Sequence, residues 1–140
     1  MIQVFALVAG FSTAVFTVGA EKPNIVLIIA DDLGYGELGF QGCTEIPTPH
    51  IDSIAKNGTR FTDGYVTCSM CHPSRAGMMT GRHQVRFGIE GNPPIKERNY
   101  GVPGSEPMLA ERLKKLGYTT GLIGKWHLGH RDGLLPTDQG

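Results

Sequence analysis

The chain has no excess of either charge: Lys+Arg 13 balance Asp+Glu 13 over 140 residues. That balance leaves no electrostatic footprint for nucleic acid or for an anionic membrane surface. No internal repeat is visible. Cysteine is scarce and odd in number, with only Cys43, Cys68 and Cys71. The first twenty residues, MIQVFALVAGFSTAVFTVGA, contain no charged side chain. They read as a signal peptide cut after Ala20, at the small-residue site Val18-Gly19-Ala20, although a basic n-region is missing. The alternative is an uncleaved membrane anchor of about spanning length. Either reading makes the rest of the chain exported, periplasmic or secreted. In an oxidising compartment an odd cysteine count leaves one thiol free or modified.

What is present fits a globular domain. Hydrophobic residues make up 40% and glycine numbers 20, which argues against disorder. NIVLIIA (24–30) is a continuous apolar, β-branched run, expected to be a buried parallel strand. It leads into the glycine-rich DDLGYGELG. TPHIDSIAKNG (48–58) predicts a helix with Thr48 as cap, Pro49 in the first turn, an apolar face of Ile51, Ile54 and Ala55, and a stop at Gly58. TRFTDGYV (59–66) predicts a second strand, and PSRAGMMTG (73–81) a short helix. After a loop rich in Pro and Gly (92–107), SEPMLAERLKKLGY predicts a helix capped by Ser105 and stopped by Gly117. YTTGLIG (118–124) predicts a third strand, running into KWHLGH. Alternating strand and helix is the pattern of an α/β domain with a mostly parallel sheet. Ligands of such sheets bind beyond the carboxyl ends of the strands. Asp31, Asp32, Lys125 and His127 follow strand ends, and Cys71 and Arg75 sit at a helix start, so all six are expected at one rim.

The stretch CSMCHPSRAGMMTGRH (68–83) admits several chemistries. Cys68-x-x-Cys71-His72 has the spacing of covalent haem attachment, which would make the chain a c-type electron carrier. That class is usually helical, whereas this chain alternates strand and helix. Cys68 and Cys71 alone resemble a redox pair or half a zinc site, but no further ligands follow at zinc spacing. A cysteine phosphatase loop places its arginine farther on than the four residues separating Cys71 from Arg75.

Cys71-x-Pro73-Ser74-Arg75, followed by Thr80-Gly81-Arg82, resembles the sulfatase signature. NIVLIIADDLGYGELG resembles the first strand and metal-binding aspartate pair of the same family, GLIGKWHLG its lysine–histidine motif, and LPTDQG the segment after it. The order of all four agrees, and the chain is most similar to bacterial arylsulfatase-type sequences. Glu37 stands where the family commonly has aspartate. The resemblance implies an α/β, alkaline-phosphatase-like sandwich, of which residues 21–140 are the N-terminal part, with further metal and substrate ligands downstream and little activity for this stretch alone. It implies that Cys71 is oxidised to formylglycine by a maturation enzyme. One hydroxyl of the hydrated aldehyde attacks the sulfur of a sulfate ester and displaces the alcohol, and the second then loses its proton and expels sulfate by re-forming the aldehyde. It also implies that Asp31, Asp32 and residue 71 hold Ca²⁺ or Mg²⁺, that Arg75 steadies the nucleophile, that Lys125 holds a sulfate oxygen, and that His127 is the base. A phosphonate or phosphodiester hydrolase shares this fold and is the alternative reaction. An inactive fragment is the other alternative. Trp126, Met78 and Met79 read as packing residues, and Arg82 as the partner of a carboxylate. Cys68 reads as a bystander or as the partner of Cys43.

Overall fold

The computed structural model describes residues 22–94, 96 and 99–140. The expected signal segment lies outside the described residues. Among the described residues no helix is long and apolar enough to cross a membrane.

Three α-helices form: α1 (Pro49–Asn57), α2 (Cys71–Thr80) and α3 (Leu109–Lys115). Short 3₁₀ turns lie at Gly39–Gln41 and Gln84–Phe87. Helix α1 starts at the expected proline. Thr48 does not cap it through its side chain. Instead Thr48 Oγ1 accepts from Gly39 N and donates to Asp52 Oδ1, and Asp52 Oδ1 accepts from Phe40 N. This polar clasp holds α1 against the loop before it. The expected apolar face is not covered, since Ile51 and Ile54 are exposed.

Helix α2 begins at Cys71, two residues before the expected start, with Pro73 inside its first turn. Gly81, in the left-handed region at φ 66, closes it by donating to Gly77 O, as a glycine after a helix end does without steric cost. Helix α3 begins at Leu109 rather than next to Ser105, because Glu111 reaches back to accept from Met108 N at 2.6 Å and caps the first turn there. Gly117 follows its end at φ 85.

The expected strands are corrected: among the described residues none is assigned as a strand. A strand exists by virtue of a hydrogen-bonded neighbour, and the segments 24–30, 59–66 and 118–124 make no ladder bonds. Their apolar side chains are uncovered, with Val26 83% and Ile28 79% exposed. The parallel direction is nevertheless visible. Lys22 Nζ donates to Leu116 O, and Lys125 Nζ donates to Asp31 Oδ2. Both contacts span 94 residues, so 22–31 and 116–125 are tied at both ends and run the same way.

The core gathers around α2. Ala76, Ile89, Val102, Met108 and Leu128 are buried together, with Met79, Phe87 and Trp126 packed against them. Trp126 also donates its indole N–H to Leu134 O. Arg82 pairs with Glu106 at 2.6 Å, linking the end of α2 to the approach of α3. The three cysteines are unbonded, so Cys43 and Cys68 are not partners.

Candidate active site

Burial of one face of α2 aims its first turn at the end of segment 24–30. Cys71 is half-buried at the first helical position, and Arg75, one turn on, is 8% exposed. Arg75 donates to Lys125 O at 2.6 Å and reaches Asp31 Oδ1 at 3.4 Å. Lys125 Nζ donates to Asp31 Oδ2 at 2.8 Å. The hydrogen bond from Lys125, with Arg75 beside it, holds the Asp31 carboxyl below its ordinary range despite some desolvation. In return Asp31 raises Lys125, and a hydrogen bond to the Cys71 side chain raises it further. Lys125 therefore bridges the carboxylate and residue 71 as a firm ammonium.

Asp31, Asp32 and Cys71 each bring a ligand atom to one point, all within 4.8 Å of one another. Two ionisable carboxylates at an exposed corner suit a hard divalent cation such as Ca²⁺ or Mg²⁺. The thiol sulfur is a soft donor; an oxygen-bearing residue 71 fits such an ion better. The only non-glycine residues at positive φ among those described are Asp32 (φ 57) and His127 (φ 60). Both belong to this site, where strained backbone tends to concentrate. At His127 the positive φ breaks any regular alternation: Trp126 turns to the core, Lys125 to Asp31, and the chain kinks at His127.

Burial lowers the His127 imidazole pKa first, and the nearby Lys125 and Arg75 charges lower it further, against a smaller opposite pull from Asp31. The ring is thus kept neutral near pH 7. His127 borders a cavity of about 280 Å³ lined also by His72, Tyr100, Trp126 and His130.

All six expected site residues meet here. The contacts of two other residues escaped the sequence reading. Asn92 accepts from His72 N at 3.1 Å, satisfying a free amide in the first turn of α2. His72 is 1% exposed, and its Nε2 is buried without a partner. Asn92 carries no motif signal, and His72 was read only within Cys68-x-x-Cys71-His72, because each contact is made with a loop distant in sequence.

The sulfatase family profile matches residues 23–133. The chain is 47% identical to human arylsulfatase A over 137 residues, 96% of this chain and 26% of that protein. The chain belongs to the sulfatase family. It is also 43% identical to human arylsulfatase G, covering 86% of this chain and 23% of that protein. Among solved structures it is similar to that of Ps i-CgsB, with TM-score 0.82 and 46% identity over 86% of this chain and 27% of the other. The chain therefore shares the fold of that structure over the matched part, and it spans about a quarter of the length of the curated relatives it matches.

Proposed function

We propose that this sulfatase chain carries the nucleophile end of a site that hydrolyses sulfate esters, with Cys71 converted to formylglycine by a maturation enzyme. The observation that carries the reading is the meeting of Asp31, Asp32, Cys71 and Lys125 at the mouth of α2. Formylglycine, once hydrated, would supply one hydroxyl that attacks sulfur and displaces the alcohol of the ester, and a second whose deprotonation re-forms the aldehyde and releases sulfate. Asp31 and Asp32 would hold Ca²⁺ or Mg²⁺, whose charge polarises sulfate oxygens. Every remaining role falls to this chain's side chains. Lys125, fixed between Asp31 and residue 71, binds a sulfate oxygen. Arg75, buried and held by Lys125 O and Asp31, keeps a fixed positive charge one turn from the nucleophile. His127 is neutral near pH 7, so it can accept a proton. Its Nδ1 is buried with no partner, which leaves Nε2 for that transfer.

The uncharged apolar start of the chain supports export to the periplasm or beyond. The test is to express the protein at full length, not residues 21–140 alone, with a formylglycine-generating enzyme and Ca²⁺, and to assay aryl sulfate against aryl phosphate and phosphonate esters. Sulfate turnover abolished by Cys71→Ala is expected. Turnover of the phosphorus esters alone would replace this reaction with the alternative one. Mass spectrometry of tryptic peptide 61–75 should show an aldehyde in place of the thiol; an unmodified cysteine in an active protein would overturn the nucleophile.

A further inference from the structure

The backbone at His127 lies in the left-handed region, φ 60. For a residue with a Cβ this conformation is unfavourable, so neighbouring groups must hold it there. The direct hold is His72. Its Nδ1 lies 2.5 Å from His127 O. A carbonyl oxygen only accepts, so the proton is on Nδ1 and Nε2 is the bare nitrogen. The two rings meet edge to face, with centroids 5.5 Å apart. On its other side His72 packs on Tyr100 at 4.9 Å. His72 N is itself fixed by Asn92 Oδ1. The imidazole thus contacts both the carbonyl and the ring of the residue proposed as base.

We infer that His72 is a positioning residue for His127: its Nδ1–H fixes the kinked His127 backbone and so aims the His127 ring at residue 71. The inference rests on the reading of His127 as the base. His72 sits next to the nucleophile in sequence, yet it acts on the opposite half of the site. A donor at the Nδ1 position is what the device requires. An asparagine amide can occupy that position, whereas glutamine offers its amide nearer Nε2 and leucine offers no donor.

The test uses the full-length protein, not residues 21–140 alone, matured and supplied with Ca²⁺, with 4-nitrophenyl sulfate as substrate. His72→Leu and His72→Gln should each lower kcat about tenfold or more with KM little changed, as misplacement of a catalytic group does. His72→Asn should restore most of the lost turnover. Equal losses in all three variants, or none, would overturn the inference. Independently of activity, the ¹⁵N shifts of His72 in the wild-type protein should report a protonated Nδ1 and a bare Nε2; the opposite tautomer would overturn it. The ¹³C shift of the His127 carbonyl should move in His72→Leu and hold in His72→Asn. If the wild-type protein turns over no sulfate ester, the proposed reaction fails. The two spectroscopic readouts then still decide whether His72 holds His127.

Discussion

Single side chains at the mouth of α2 work through charge more than through packing. Lys125 and Asp31 are exposed, and exposed ion pairs add little stability. Lys125→Ala and His127→Ala should therefore lower turnover about a hundredfold while leaving the melting temperature almost unchanged. Equal losses of folding and activity would mark both as structural. The imidazoles also set a pH signature. His127 and His72 have pKa values lowered from 6.5, each by burial first. Below pH 6.5 the unfolded chain takes up protons that the folded chain refuses, so these groups' contribution is fully present above that pH. It is lost as pH falls from there through the lowered folded values. Urea midpoints measured from about pH 7.5 to about pH 5 should decline, and replacing both histidines with asparagine should flatten the decline.

At the scale of elements, α2 is the part on which the others depend. Its first turn holds residue 71, its middle is buried, and its N–H at His72 is satisfied from the loop by Asn92. Asn92→Ala should destabilise the protein by about 1 kcal/mol, as loss of a helix cap does, with Asn92→Asp restoring the acceptor. The middle of α2 tolerates no added atom. A Cβ at Gly77 would come within 2.6 Å of Thr67 Oγ1 and 3.0 Å of Gln84 Oε1. Gly77→Ala must push both residues aside and should destabilise by about 1–3 kcal/mol, although alanine is the better helix former. Denaturant unfolding of the two variants checks both expectations.

At the scale of the whole molecule, the described residues bury few apolar side chains and expose many. Ile25, Val26, Leu27 and Ile28 on one segment and Leu122 and Ile123 on the other stand in solvent beside unpaired backbone. Extended apolar segments without neighbours invite pairing between molecules. Residues 22–140 in isolation should therefore self-associate in a concentration-dependent way by light scattering. They should also bind a hydrophobic dye, and show fast amide exchange at 24–30 and 118–124 compared with α2. A monodisperse, dye-silent monomer would show that these segments are covered.

Much of the site was legible in residue order. Cys71, Pro73 and Arg75 declare a helix mouth with a nucleophile and a cation one turn apart, because helical spacing is local and proline suits a first turn. Asp31 and Lys125 could be expected at one rim, since an apolar run ending in a polar residue delivers that residue to the end of a segment. Helix ends at Asn57 and Thr80 were legible from the glycines that follow. Pairing was not. Whether 24–30 and 118–124 become strands depends on neighbours, which a run of Val and Ile does not specify. The start of α3 was set by Glu111 reaching back to Met108. The left-handed turn at His127 and the imidazole of His72 that holds it arise from contact across 55 residues of chain. Periodicity carries no information about such a contact, and only the folded arrangement brings those two rings together.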